Sequence, residues 1–330
     1  MIDNKKYLII YHNEDNDGCC SAAILKHYLM TSLGVSEDNI GLFPANYAIL
    51  DKVAANNFTE ISGYDSVILT DISFNNFDYM EMLFEMFGKD NFTWIDHHAP
   101  VIKMSEERKY DIKMNGVRDT SRSAILNAYK YCYDNFDILY NGGEAPLILR
   151  YLSAIDSWSY EREGLDFDTC RHINTGFTKT SKLEVSWWME RIEDILANSK
   201  EYVDNILDEM YTLGKKINDE ADERNEKFVK HAGIGDFTVN GNRKCIIVFT
   251  SGPTSSLIFK SVKGIYDNAV CFKTSSAGKV LISMYNVTDD SSFHCGTYLH
   301  DKYGGGGHEG AAGATIDFET FINILQTKQI

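Results

Sequence analysis

The chain has 330 residues, 44% of them hydrophobic and 24% charged, which is enough for two domains of ordinary size with cores of their own. Its formal net charge of −16 excludes a long duplex nucleic acid as a partner, because basic residues drive such binding by counterion release. A phosphate-bearing substrate is compatible with this charge only if bound metal ions supply positive charge locally. The longest apolar runs are strand-sized, so we expect no membrane span. Scattered cysteines and the lack of an export signal predict a reduced, cytoplasmic protein.

Short apolar strands and helices alternate over the first hundred residues. Strands are predicted at 7–11, 40–43, 66–70 and 92–95, with Pro44 ending the second, and helices at 19–33, 50–56 and 78–87. This alternation indicates an α/β protein whose N-terminal domain contains a doubly wound parallel sheet. Ligands of such sheets gather at the carboxyl ends of the strands. The polar residues that follow the strands, His12, Asp71 and 96–98, should therefore converge on one edge.

The remainder of the chain predicts a connector and a second domain. Helices at 121–133 and 146–155 come first, and the second delivers Asp156 at its end. From 187 to 230 the apolar residues recur with helix period, which predicts a connector between domains or, alternatively, a surface helix. The last hundred residues predict a smaller α+β domain with a mixed sheet, with hairpins at 237–249 and 270–285 and helices at 255–263, 295–303 and 318–329. The predicted boundaries are 1–186, 187–232 and 233–330.

Carboxylates and imidazoles follow the predicted strands. The loop at 12–18 reads His-Asn-Glu-Asp-Asn-Asp-Gly, and such oxygen and nitrogen donors suit Mn²⁺ or Mg²⁺ better than a thiolate-rich zinc site. Taken singly, Asp71 or Asp156 could instead cap a helix. Their coincidence with His12 and 96–98 at one sheet edge favours metal ligands.

Four glycines, 304–307, precede His308. Glycines lack a Cβ atom, so their N–H groups could approach a phosphate as a nest, and His308 could add a hydrogen bond or charge. The alternative is a flexible linker. It is disfavoured because a helical segment precedes the run and the small residues 311–313 follow it.

Taken in order, these motifs resemble those of the DHH/DHHA1 phosphoesterases, which include the exonuclease RecJ, the oligoribonucleases called nanoRNases and cyclic-dinucleotide phosphodiesterases. The resemblance covers nearly the whole chain and is closest to the short, nanoRNase-B-like members. The matching residues are His12, Asp15, Asp17, Asp71, Asp96, His97, His98 and Asp156 for the DHH domain, and Gly304 to His308 with Ala311, Ala312 and Gly313 for the DHHA1 domain.

The resemblance implies a phosphodiesterase with two divalent ions, Mn²⁺ or alternatively Mg²⁺. Asp96 would orient the histidines and His98 would face the substrate phosphate, while residues 304–308 would bind the distal phosphate or nucleotide end. Two such ions, about 3.5–4 Å apart, activate water and neutralise the phosphate. The implied ligands are His12 and Asp15 for one ion, Asp17, His97 and Asp156 for the other, and Asp71 for both.

Two details differ from many relatives. The acids of the first motif fall three and five residues after His12 instead of four and six, and the strand at 283–286 lacks an arginine. Arg118, Arg122 and Ser123 are therefore predicted substrate contacts, although they could also decorate a helix start.

The expected substrate is a short single-stranded oligonucleotide or a small nucleotide. The alternatives are a cyclic dinucleotide, its linear product such as pApA, 3′-phosphoadenosine 5′-phosphate, or no reaction at all in a nucleotide-sensing module. Family II inorganic pyrophosphatases share the first-domain motifs, but they lack a motif of the 304–308 type.

Overall fold

The computed structural model describes residues 5–136, 144–252, 254–275, 278–288, 292–307 and 309–330. The chain divides into two compact units, Met1–Ile217 and Asn218–Ile330. This division falls within a long helix, α10 (Lys200–Ala232), inside the segment predicted as a connector. Within the described ranges, no helix combines the length and the apolar character needed to cross a membrane.

The first unit is built on a four-stranded sheet with the order β2-β1-β3-β4, and all its pairs are parallel. Alternate residues of the central strand β1 face different cores: Ile9 packs in one hydrophobic cluster, and Leu8 and Ile10 pack in another. The sheet is therefore covered on both faces, which confirms the predicted doubly wound architecture. The strands are β1 (Tyr7–His12), β2 (Ile40–Ala45), β3 (Ser66–Thr70) and β4 (Phe92–Ile95).

Pro44 does not end its strand as expected, since β2 continues to Ala45. In the sheet β2 pairs only with β1, and a proline is tolerated on such an edge strand because no further ladder needs its missing N–H.

Helices cover both faces of this sheet. Two of them, α4 and α7, are missing from the sequence prediction. Pro100 lies in the first turn of α4, where its missing N–H would have no partner anyway, so it is compatible with a helix start. The helices are α1 (Asn16–Thr31), α2 (Tyr47–Ala55), α3 (Phe77–Phe87), α4 (Ala99–Glu107), α5 (Ala124–Phe136), α6 (Leu147–Asp156), α7 (Phe167–Ser181), α8 (Val185–Met189), α9 (Ile192–Ala197) and the first part of α10.

The second unit contains a six-stranded sheet with the order β5-β6-β7-β8-β10-β9. Only the β6–β7 pair is parallel among the described strands, so the sheet is mixed, as predicted. The strands are β5 (Ile234–Val239), β6 (Arg243–Phe249), β7 (Asn268–Thr274), β8 (Val280–Asn286), β9 (Gly306–Gly307) and β10 (Ala311–Ile316). The helices that accompany them are a 3₁₀ helix (Ser256–Val262), α11 (Cys295–Tyr303) and α12 (Phe318–Thr327).

Candidate metal centre

Acidic and histidine side chains meet at the carboxyl edge of the parallel sheet in the first unit. His12 is the last residue of β1, Asp71 directly follows β3, and His97 lies two residues after β4. Because these strands are parallel, their ends lie at one edge. Two further acids reach it from helices: Asp17 from the first turn of α1, and Asp156 from the end of α6.

One group of potential ligands consists of His12, Asp15 and Asp71, which each place one donor atom within 4.8 Å of the others. Nδ1 of His12 lies 2.8 Å from Oδ2 of Asp15 and 3.5 Å from Oδ2 of Asp71. Asp15 is fixed as the N-cap of α1, where it accepts a 2.9 Å hydrogen bond from the amide of Gly18.

A second group consists of Asp17, His97 and Asp156, and it meets the same 4.8 Å limit. Nε2 of His97 lies 3.3 Å from Oδ2 of Asp156 and 3.6 Å from Oδ2 of Asp17. The same nitrogen lies 3.2 Å from Oδ1 of Asp71. Asp71 therefore contacts both groups, one with each carboxylate oxygen.

Asp17 is held in place by the start of α5. Its Oδ1 accepts hydrogen bonds from the hydroxyl of Ser123 at 2.5 Å and the amide of Ile125 at 2.8 Å, and its Oδ2 accepts one from the amide of Ala124 at 2.8 Å. Ser123 is fully buried. Its hydroxyl therefore serves the carboxylate, and we leave Ser123 out of the proposed substrate contacts.

Asp96 is fully buried beneath the two histidines. Its Oδ1 accepts hydrogen bonds from Nδ1 of His98 at 2.7 Å and from the amide of His97 at 2.8 Å, while its Oδ2 accepts one from Nε1 of Trp94 at 3.0 Å. This carboxylate fixes the ring of His98 and leaves Nε2 as the nitrogen available to a substrate. Its contact with His97 is to the backbone only.

Asp71 shows two features of a ligand position. Its backbone is left-handed, with φ of 60°, a conformation that is uncommon outside glycine, although asparagine and aspartate adopt it more readily than other residues. Its Oδ2 is buried yet accepts no hydrogen bond from any residue that the structure describes. A buried oxygen without a donor is unfavourable, and a cation would satisfy it. The hard oxygen and imidazole donors around it fit Mn²⁺ or Mg²⁺.

The electrostatics of the cluster favour a cation. Burial, reinforced by the charge of Asp17, raises the pKa of Asp71 well above its usual value, and the same two causes raise the pKa of Asp156. Burial opposes a charge on His12, but its hydrogen bond to Asp15 and the negative charges of Asp15 and Asp71 outweigh that effect and raise its pKa to about 10. Ionised carboxylates this close repel one another in the absence of a counter-charge, so divalent ions would stabilise the cluster.

The two predicted arginines have different surroundings. The guanidinium of Arg118 donates hydrogen bonds of 2.8–3.2 Å to four backbone carbonyl groups and lies 5.4 Å from the centre of the Trp94 ring. We therefore assign Arg118 a structural role. Arg122 pairs with Asp119 at 3.0 Å and lines an open cavity of about 500 Å³ together with Arg150 and Arg162, which leaves it accessible to a ligand.

The glycine run shapes the end of α11. Gly304 caps the helix with a left-handed φ of 66°, and its N–H, like that of Gly305, donates to a carbonyl of the last helical turn. These two N–H groups are therefore not available to a phosphate. Gly306 and Gly307 form the exposed edge strand β9 and stay candidates for a nucleotide contact. His308 lies outside the described residues.

The sequence prediction missed a residue that anchors the candidate metal loop, residues 12–18. Asn16 is buried between the two acids of the loop, and its amide donates to Oδ1 of Asn174 and to the hydroxyl of Thr178, both at 2.8 Å. Both partners lie on α7, which itself was not predicted. An asparagine next to a buried helix start is a signal for such an anchor, but its partners, more than 150 residues away, cannot be read from it.

The fold and the site together define a two-unit α/β protein with a carboxylate and histidine cluster at the carboxyl edge of its parallel sheet. No protein-family model and no curated protein matches the sequence. Among solved structures, the pGpG-specific phosphodiesterase PggH from Vibrio cholerae aligns with a TM-score of 0.53 and 13% identity over 98% of this chain and 97% of its own. The chain therefore shares the fold of this phosphodiesterase over nearly its whole length, in agreement with the two-domain α/β architecture predicted from its motifs.

Two further similar structures have lower TM-scores. RecJ from Thermus thermophilus, in complex with Mg²⁺, has a TM-score of 0.46 and 13% identity, with 98% of this chain covering 49% of RecJ. An exopolyphosphatase-related protein from Bacteroides fragilis has a TM-score of 0.44 and 14% identity, with coverages of 98% and 91%.

Proposed function

We propose that this protein is a metal-dependent phosphodiesterase that hydrolyses linear dinucleotides and other short single-stranded oligonucleotides. The observation that carries the proposal is that two groups of potential ligands lie side by side and share Asp71. One oxygen of Asp71 faces His12 and the other faces His97. Paired cation sites of this kind are typical of enzymes that hydrolyse phosphate esters. The fold shared with PggH, a pGpG-specific phosphodiesterase, favours a linear dinucleotide as the first substrate to test.

Six side chains would hold the two cations. His12 and Asp15 would bind one cation, and Asp17, His97 and Asp156 would bind the other. Asp71 would contact both cations. The mixed imidazole and carboxylate donors favour Mn²⁺ over Mg²⁺, because Mg²⁺ prefers oxygen ligands alone. When bound, the cations supply charge neutralisation for the phosphate and activation of the attacking water.

His98 is the proposed proton donor. Asp96 accepts a hydrogen bond from Nδ1 of His98, and this contact orients the ring. The Nε2 proton can then be given to the phosphate or to the leaving oxygen. The side chain of His98 is 35% exposed, in contrast to the 13% of His97, so a substrate can reach it.

The acidic surface limits the substrate. The chain carries 48 acidic and 32 basic residues, so a long polyanion would be repelled beyond the few nucleotides next to the cations. Arg122 and the edge glycines Gly306 and Gly307 are the candidate contacts for the remaining phosphate and nucleotide groups. We therefore expect turnover to decrease as the oligonucleotide becomes longer.

A substrate panel tests the proposal. The protein is stripped with EDTA, reloaded with Mn²⁺ or Mg²⁺, and assayed with pGpG, pApA, end-labelled RNA and DNA of two to about 24 nucleotides, cyclic dinucleotides, 3′-phosphoadenosine 5′-phosphate and pyrophosphate. We expect metal-dependent cleavage of linear dinucleotides, faster with Mn²⁺. Turnover of pyrophosphate alone, or cleavage that survives EDTA, would contradict the proposal.

A further inference from the structure

Trp158 lies in the turn that ends α6, two residues after the candidate metal ligand Asp156. The amide of Ser159 donates a 3.0 Å hydrogen bond to the carbonyl of Ala154, and Trp158 has a left-handed backbone with φ of 52°. This is the position after a helix where glycine is strongly preferred. A side chain is unfavourable there because its Cβ atom crowds the following carbonyl oxygen.

Burial does not explain why a tryptophan occupies this position. Phe58 also has a left-handed backbone, with φ of 57°, but it is only 1% exposed and its core contacts offset the strain. Trp158, in contrast, is 64% exposed. Strained residues whose strain is not explained by packing often belong to binding sites.

The indole of Trp158 is nevertheless held in a defined position. Its ring stacks on Phe167, with 5.7 Å between centroids and 20° between planes, and Tyr160 lies beside it with a centroid distance of 6.4 Å. Phe167 covers one face of the indole. Because the residue stays largely exposed, its opposite face is open to a flat ligand.

We infer that Trp158 is the stacking platform for a nucleobase of the substrate, an inference that rests on the proposed phosphodiesterase function. Trp158 comes two positions after Asp156, so their Cα atoms are at most about 7.6 Å apart and the backbone of Trp158 lies close to a candidate metal ligand. Stacking on an aromatic ring supplies affinity without positive charge, which suits a protein with a net charge of −16. Every base has a π face, so this contact favours base-bearing substrates without selecting one base.

A double-mutant cycle between protein and substrate tests the inference. Trp158→Gly removes the indole, and glycine relieves the left-handed strain, so the variant should fold. For a linear dinucleotide we expect KM to rise about 5- to 150-fold, the range of base stacking on an aromatic residue. With the native protein, dinucleotides that carry hydrogen in place of one base should also be tested. Loss of the base that stacks on Trp158 should raise KM by a similar factor, and loss of the other base should not. The two losses should not add, because each removes the same contact.

Two variants control this cycle. Trp158→Phe keeps a smaller ring and should recover part of the loss. Trp187→Phe changes a tryptophan that packs against Trp188 instead, and it should leave KM unchanged. Additive losses in the cycle, or an unchanged KM for Trp158→Gly, would overturn the inference while leaving the phosphodiesterase assignment intact.

Fluorescence gives a measure that does not depend on turnover. Trp94 and Trp188 are fully buried, so a bound base should quench the exposed Trp158 selectively. A dinucleotide with a methylene group in place of the bridging oxygen cannot be hydrolysed at that bond and serves as the probe. We expect quenching in the native protein and in Trp187→Phe, and its loss in Trp158→Gly. Binding without quenching would overturn the inference, whereas quenching in a protein that cleaves no phosphodiester would support the stacking site and refute only the proposed function.

Discussion

Replacing Asp71 with asparagine should have opposite effects on the metal-free and the metal-loaded protein. Burial and then the charge of Asp17 raise the pKa of Asp71, so its folded-state pKa exceeds the unfolded value of about 3.9. At neutral pH an ionised Asp71 therefore destabilises the metal-free folded state. Asparagine removes the charge, has nearly the same size and tolerates the left-handed φ of 60°.

The magnitude follows from the neighbouring charges. A carboxylate within 4.8 Å, as Asp15 is, repels Asp71 by about 3.5 kcal/mol at an effective dielectric constant of about 20. Protonated His12, 3.5 Å away, offsets this repulsion, while burial and the charge of Asp17 remain unfavourable. We expect a net gain of roughly 1–2 kcal/mol for the metal-free variant. For a unit of this size, that raises Tm by about 2–8 °C.

The loss of a bridging ligand acts in the other direction once metal is present. At a Mn²⁺ concentration 100 times Kd, the native protein should gain about 2.7 kcal/mol, or roughly 5–10 °C in Tm. In Asp71→Asn we expect less than about a third of this shift. Thermal unfolding followed by circular dichroism, with EDTA and with Mn²⁺, measures both effects. The exposed Asp51 provides the matched control, because Asp51→Asn should change neither the metal-free Tm nor the Mn²⁺-induced shift in Tm. A lower metal-free Tm combined with an undiminished Mn²⁺ shift would refute the assignment of Asp71 as a bridging ligand.

Three further results are expected. Burial raises the pKa of Asp71 and Asp156, so protons compete with the cations for these carboxylates. Calorimetry should show that Mn²⁺ affinity rises with pH above the ordinary carboxyl value of about 3.9, while metal-free stability falls as the pH rises above the same value. A pH-independent affinity would contradict the ligand assignment. Ser123→Ala removes the hydroxyl that donates to the buried carboxylate of Asp17. Denaturant titration should show a free energy of unfolding lower by about 1–3 kcal/mol, and Mn²⁺ binding should weaken. An unchanged Kd for Mn²⁺ would show that this hydroxyl does not position Asp17. Gly305→Ala would bring a Cβ atom within 2.3 Å of a backbone oxygen and should lower Tm. In Gly306→Ala the added Cβ atom meets nothing within 4 Å, so this variant should keep the native Tm and show a raised KM for a dinucleotide. A native KM for Gly306→Ala would remove the edge strand from the proposed substrate site.

The sheet edge could be predicted from the sequence because three of its strands, β1, β3 and β4, are short apolar runs that lead directly to candidate ligand residues. Ile68 and Leu69, for example, lie in a buried strand that ends directly before Asp71. Parallel pairing then determines that the residues after these runs meet, whatever the loops between them do. The positions of His12 and His97 follow from the same argument.

The supporting contacts could not be predicted, because they join residues far apart in the chain. Ser123 reads as an ordinary helix start, and only the tertiary structure brings it to a carboxylate 106 residues earlier. Likewise, α7 has a polar sequence because Asn174 and Thr178 bind Asn16, and this weakens the apolar pattern that would reveal a helix. Arg118 looked like a free cation, since nothing in the sequence shows that four backbone carbonyls surround it.

The candidate metal centre concentrates features that oppose folding in the absence of cations. Asp71 combines a left-handed backbone with a buried oxygen that no described residue satisfies, and Asp156 shares its raised pKa. The surrounding contacts hold these groups together: α5 fixes Asp17, and α7 fixes Asn16 between the two acids of the metal loop. A scaffold that holds like charges in contact stores unfavourable energy, and a divalent cation releases it on binding. Cation binding and the stability of the first unit should therefore be coupled, so that removing the metals destabilises the same elements that position the substrate.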